Sequence, residues 1–378
     1  MRPTHAYLAP AILAASLTLA GCSGGDDAAA PPTDPQPSDP AVERLLDEAW
    51  PDGASGTVVT ARDGELVHCR GIGLADREEG VRASCDTVYD VMSMTKQVTA
   101  AAILKLEMLG ELRVTDRIGD FFGSVPKDKR GITLHQLLTH TSGLPEALGD
   151  DYAPLSRAAM VSGALGSRLG SEPGAEYRYS NLGYSLLAAV IEKASGIGYE
   201  PFLSRQLFDP AGMTRTGYVL PDLERAEVAV EYDEAGEAQG RPFDHPWGAG
   251  GPYWNLRGNG GLLSTPRDMY RWNLALDRGD VLDRAASAKL FEPYVREAEG
   301  GDSFYGYGWV VQRLGGGSIA WHDGGNGWSL GLIARLAERD GMVFWISNAA
   351  HRKGGWNLAR SERALTLGLI DATLGARG

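Results

Sequence analysis

Strand-like patterns near both chain ends, with helical patterns between them, predict an α+β fold. The expected architecture is an antiparallel sheet formed from the two chain ends, flanked by helices, with a mostly helical region inserted. The sheet part would occupy about 41–90 and 300–378 and the helical part about 91–299. Composition fits a folded unit: of 378 residues, 43% are hydrophobic and 22% charged, which excludes a disordered, collagen-like or coiled-coil chain. Acidic residues (49) outnumber Lys and Arg (36), for a net charge of −13 without a basic block. That balance speaks against a nucleic-acid partner.

The first segment reads as an export signal rather than as fold. Arg2 precedes an apolar run from Leu8 to Ala20; at about 13 residues it is too short to span a bilayer but suits a signal core. The run ends Leu19-Ala20-Gly21-Cys22, which resembles the lipobox of bacterial lipoproteins. That resemblance implies cleavage before Cys22 and lipidation of its thiol. Residues 22–40 are rich in Pro, Ala and Asp and lack large apolar side chains, so they read as a disordered tether. The expected organisation is therefore a signal at 1–21, a tether at 22–40 and one catalytic unit at 41–378, held at a membrane by its lipid and facing the periplasm or cell exterior.

Within the folded unit, Val42, Leu45, Leu46 and Ala49 have helical spacing. Residues 56–61 and 65–73 alternate as a hairpin around Asp63-Gly64. A helical pattern covers 95–112, with further helices at 133–140, 181–195 and 199–208. Strand patterns return at 307–314, 318–322, 328–336 and 342–347, and a last helix fits 355–374. Cys69 and Cys85 read either as a disulfide, which an exported protein allows, or as two separate buried thiols.

The chemistry-bearing pattern starts at Ser93-Met94-Thr95-Lys96, an S-x-x-K motif that places the two side chains one helical turn apart. A serine hydroxyl needs a neighbour to take its proton, and a lysine can do so if burial lowers its pKa. Tyr179-Ser180-Asn181 and His322-Asp323-Gly324 follow in that order. The set resembles the serine penicillin-recognising enzymes, in particular the branch holding class C β-lactamases, DD-peptidases and related esterases. ITLHQLLTHTSGLP (132–145), PGAEYRYSNLGYSLLAAVIEKASG (173–196), GGLLSTPRDM (260–269) and YGYGW (305–309) carry the same resemblance.

The resemblance implies a β-lactamase/DD-peptidase-like fold and a serine hydrolase that works through an acyl-enzyme at the cell envelope. It makes Ser93 the nucleophile, Lys96 the proton acceptor and Tyr179 a proton shuttle whose pKa is held down by Lys96 and His322. Asn181 would bind a substrate amide or orient Lys96. The backbone N–H groups of Ser93 and Gly325 would form the oxyanion hole, and Asp323 and Gly324 would meet substrate. Tyr179 is preferred to Tyr177 because it lies two residues before an asparagine. Where the β-lactamases have Lys-Thr-Gly, this chain has His-Asp-Gly. A carboxylate at Asp323 would repel a substrate carboxylate and favour esters, amides or a free amino group over penicillins and D-Ala peptides. D-Ala-D-Ala carboxypeptidase and β-lactamase activity are the enzymatic alternatives. A non-catalytic binder of cell-wall ligands is the alternative of another class, disfavoured by the intact motif set.

No cofactor or metal is implied. His135 and His140 lack the H-E-x-x-H pattern and read as structural. The G-x-G of RGIGLAD and the GNGGLLS stretch read as a strand end and a turn. Ser185 lacks the final glycine of a nucleophile elbow. Trp254, Trp321 and Trp328 are candidates for the cleft or the core, and Arg257 is a candidate anion contact. Oligomeric state is not legible.

Overall fold

The computed structural model describes residues 36–314, 317–336 and 339–375. The signal, Cys22 and most of the tether lie outside the described residues. Among those described, no helix is long and apolar enough to cross a membrane.

The first described helix begins inside the expected tether. Pro40 opens α1 (Pro40–Ala49), capped by the Asp39 carboxylate accepting from Ala41 N–H. Proline at a helix start loses no needed donor and has the right φ, so a residue that looked like linker punctuation starts the fold. The hairpin β1 (Gly56–Arg62) and β2 (Glu65–Ile72) follows. Its turn residues Asp63 and Gly64 have φ of 53° and 73°, the primed-turn geometry that Asp-Gly favours.

The helical region contains α2 (Thr95–Met108), α3 (Leu134–Leu138), α4 (Asn181–Ser195) and α5 (Pro266–Arg278). The chain then returns as short strands β3 (Val295–Arg296) and β4 (Ser303–Tyr305), followed by β5 (Val310–Leu314), β6 (Gly317–Gly325), β7 (Leu330–Leu336) and β8 (Gly341–Ser347). Helix α6 (Leu358–Leu374) ends the domain. The strand expected over 307–314 starts later, because Gly308 adopts φ 75° where a Cβ would lie 2.7 Å from the Lys96 carbonyl oxygen.

The eight-stranded sheet runs β3-β4-β5-β6-β7-β8-β1-β2, and β1 pairs antiparallel with β8. The two chain ends thus share one sheet, as the pattern predicts. Both faces are covered. Along β8, Met342, Phe344 and Ile346 join the core against the helical region, while Val343 and Trp345 join the core beneath α1 and α6. Burial on both faces explains why this strand reads as an uninterrupted apolar run. Helix α2 is buried nearly all round, the mark of a central helix. The Cys69–Cys85 disulfide is formed, tying β2 to the segment that leads into the nucleophile turn.

Candidate active site

Ser93 lies in a single 3-10 turn, Met92–Met94, that runs directly into α2. The turn is built by its approach. Val91 N–H donates to the Leu262 carbonyl at 2.8 Å. Met92 takes φ 49°, unusual for a residue with a Cβ, and its N–H donates to the buried Asp90 carboxylate at 2.6 Å. Burial, reinforced by Glu231, pushes the Asp90 carboxyl up to about 8. The Asn326 side chain lies within its hydrogen-bonding reach and also donates to Glu231 at 2.6 Å.

Lys96 is completely buried, with Nζ 3.0 Å from Ser93 Oγ and 2.8 Å from the Asn259 carbonyl oxygen. Burial lowers its pKa to about 7, against the opposing charges of Asp151, Asp323 and Glu146. A neutral amine can keep an N–H on Asn259 and turn its lone pair to the serine hydroxyl. The Asn259 contact comes from the GNGGLLS stretch: that segment is a turn, as expected, but its role in holding Lys96 was not foreseen.

Tyr179 is within hydrogen-bonding reach of Ser93, and its ring centroid lies 4.8 Å from Lys96 Nζ. Burial pushes the phenol above its ordinary value, so it is a neutral proton donor in the free protein. This corrects the expectation of a phenol depressed by cations. His322 supplies no such cation: burial takes its pKa down to about 4. Its Nδ1–H donates to the Asp323 carbonyl at 2.6 Å, which leaves Nε2 to accept from the Tyr305 hydroxyl at 3.1 Å. Tyr177 packs instead near His140 and Tyr305, so Tyr179 is the tyrosine that faces Ser93.

Asn181 opens α4 behind the Ser180 cap. Its Oδ1 is buried without a protein partner, so it does not accept from Lys96. Strand β6 passes against the nucleophile turn. A Cβ on Gly324 would lie 2.9 Å from the Met92 Cβ and 3.0 Å from the Ser93 nitrogen, so only glycine fits. Gly325 follows at the exposed strand end, paired with Leu330. Asp323 is half exposed, and its charge reaches Lys96 and Tyr179.

Two residues that sequence reasoning did not place in the site are there. Asp151, on the loop after α3, acts on Lys96, and its own pKa is raised by burial. His140 packs on the Tyr179 ring with centroids 4.4 Å apart. Other candidates fall away. Trp321 faces the core beneath α6. Trp254 packs against the main core, and Arg257 donates to the carbonyls of Gly250 and Pro252. Trp328 stacks on His245 at 4.3 Å, and Tyr152 lies on the same pair. His135 Nδ1 bonds the Tyr307 hydroxyl at 2.7 Å, and Ser185 Oγ donates to the Arg257 carbonyl at 3.0 Å, both structural roles.

The Beta-lactamase family matches residues 41–367. The chain belongs to that family, and it is a serine hydrolase. It is 30% identical over 310 residues to penicillin-binding protein 4* of Bacillus subtilis, covering 78% of this chain and 68% of the relative. It is 32% identical over 260 residues to the putative penicillin-binding protein PbpX of the same organism, covering 68% and 62%. An octameric penicillin-binding protein homologue from Pyrococcus abyssi superposes with a TM-score of 0.71 at 26% identity, over 86% of this chain and 76% of that one. A D-amino acid amidase from Ochrobactrum anthropi shares the fold with a TM-score of 0.75 at 22% identity, over 89% and 99%.

Proposed function

We propose that this family member hydrolyses esters or amides at the cell envelope through an acyl-enzyme on Ser93. The observation that carries the reading is the 3.0 Å contact between Ser93 Oγ and a fully buried Lys96 whose pKa is lowered to about 7. A base poised near neutrality is the one best suited to take a hydroxyl proton at neutral pH.

In the first half-reaction the Ser93 proton passes to Lys96 Nζ as Oγ bonds the substrate carbonyl carbon. The oxyanion that forms is met by the N–H groups of Ser93 and Gly325. As the intermediate collapses, the bond to the leaving group breaks and the Tyr179 hydroxyl protonates that group. Lys96 returns its proton to Tyr179, leaving the acyl-serine. In the second half, water attacks the acyl carbon while its proton passes through Tyr179 to Lys96; the bond from that carbon to Ser93 Oγ then breaks, the proton returns from Lys96 to Oγ, and the carboxylic acid leaves. His322, neutral and bonded to Tyr305, holds the wall of the site without adding charge. The Asn181 oxygen accepts from a substrate N–H, and the lipid on Cys22 keeps the domain at the membrane.

The charges that act on Lys96 are the carboxylates Asp151, Asp323 and Glu146. This acidic surrounding supports uncharged or amino-bearing acyl groups over substrates with a carboxylate. The names of the relatives favour a second reading, D-Ala peptidase or β-lactamase activity, which Asp323 opposes. A panel of p-nitrophenyl esters, amino-acid amides, nitrocefin and D-Ala-D-Ala peptides separates the two. Esters or amides should be turned over by the wild type and not by Ser93→Ala, and Asp323→Thr should raise the rate of penicillin acylation. Turnover of D-Ala-D-Ala peptides alone, or no gain in Asp323→Thr, would count against the substrate assignment.

A further inference from the structure

His140 takes no part in the proton transfers above, yet it is completely buried at the centre of the site. Its backbone has φ 57°, a left-handed conformation that residues with a Cβ adopt reluctantly. Two hydrogen bonds run to this single residue from the residues on either side of Tyr179. Arg178 N–H donates to the His140 carbonyl at 2.8 Å, and Ser180 N–H donates to His140 Nδ1 at 3.0 Å. The imidazole also lies against the Tyr179 ring, with Tyr184 and Tyr305 at 5.1 Å and 4.6 Å on its other sides.

The protonation state follows from these partners. Nδ1 accepts an N–H, so the ring is neutral with its proton on Nε2. Burial, then the charges of Lys96 and His322, push its pKa well below the usual range. Nε2 is buried with no protein partner. An apolar side chain of similar size would not incur that unmet donor. What the imidazole supplies and an apolar side chain does not is the acceptor for Ser180 N–H.

We propose that His140 is a positioning residue for Tyr179: it clamps residues 178 and 180 with its carbonyl and ring nitrogen and braces the phenol face, fixing the hydroxyl between Ser93 and Lys96. The inference rests on Tyr179 carrying protons in the proposed reaction. It adds no charge beside Lys96, because the clamp works with a neutral ring.

The test compares variants that separate backbone from acceptor. His140→Gly accepts the left-handed φ but loses the ring nitrogen. His140→Asn tolerates that φ and offers an amide oxygen near the Nδ1 position. With a p-nitrophenyl ester as substrate, His140→Gly should lower kcat about 100-fold, the size expected when a reacting group is misplaced by an ångström. KM should stay within about twofold, and His140→Asn should recover at least about tenfold of the loss. In a Tyr179→Phe background, His140→Gly should cost almost nothing more. A His140→Gly loss that is equally large in Tyr179→Phe, or His140→Asn no better than His140→Gly while folded by circular dichroism, overturns the clamp and leaves the Ser93 reading standing. Wild-type turnover by Tyr179→Phe would overturn the clamp together with the proton-carrying role of Tyr179.

Discussion

The Lys96 ammonium is the residue on which the proposed chemistry turns, because it must lose a proton before it can take one from Ser93. Burial brings its pKa down to about 7, so the free protein becomes competent as pH rises through that value. His322, at about 4, is neutral across the same range, and Tyr179, raised by burial, remains protonated. The expected pH dependence of kcat/KM is therefore a limb that rises with pH and has its midpoint near 7. Asp90, at about 8, also titrates close to that range and lies beside the nucleophile turn. The limb should persist in Asp90→Asn if Lys96 sets it; loss of the limb in that variant assigns it to Asp90.

At the same scale, Ser93, Lys96 and Tyr179 were legible because S-x-x-K and Tyr-x-Asn are local patterns in a fixed order. His140 and Asp151 were not, since their roles depend on contacts made across the fold. The orphan Oδ1 of Asn181 and the neutral state of His322 were also hidden, because both follow from burial that no motif encodes.

At the scale of elements, the decisive contact is that of β6 with the nucleophile turn. Gly324 sits where a methyl would meet the Ser93 nitrogen at 3.0 Å and the Met92 Cβ at 2.9 Å, whereas a methyl on Gly325 would meet only Leu330 and Ser329 at 3.5 Å and 3.6 Å. Gly324→Ala should thus push the strand off the turn, destabilise the protein by about 1–3 kcal/mol and lower kcat roughly 100-fold. Gly325→Ala should remain near wild type in stability. Thermal melts and ester kinetics on both variants check the contrast, and equal behaviour of the two would remove the argument for close packing. The element pattern was largely readable: the 56–73 hairpin, α4 and α6 fall within a few residues of their expected spans. Boundaries failed where tertiary contacts decide them, as at Gly308, which passes over α2, and at Pro40, which starts a helix rather than ending a linker.

For the whole molecule, the shared sheet makes the two chain ends interdependent. β1 lies between β2 and β8, so the N-terminal hairpin joins the sheet only when the C-terminal strands are in place. Within the N-terminal part, the Cys69–Cys85 bridge closes a loop with a sequence separation of 16. A loop of that length restricts the unfolded chain by about 3 kcal/mol. Cys69→Ala, Cys85→Ala and the double variant should therefore show the same reduction in Tm, with no added effect in the double. A Tm for each single variant equal to wild type would mean that the bridge does not stabilise the domain. The sheet built from both ends was predicted by strand patterns at each terminus; the disulfide was legible only as one of two alternatives, because spacing alone does not bring two Cβ atoms together.

The most direct test of the central claim is intact-mass analysis of the protein quenched during turnover of a p-nitrophenyl ester. The account predicts a single added acyl group on the peptide that contains Ser93, absent from Ser93→Ala and slow to form in Lys96→Ala. Acyl groups attached to a different residue, or full turnover by Ser93→Ala, would contradict it.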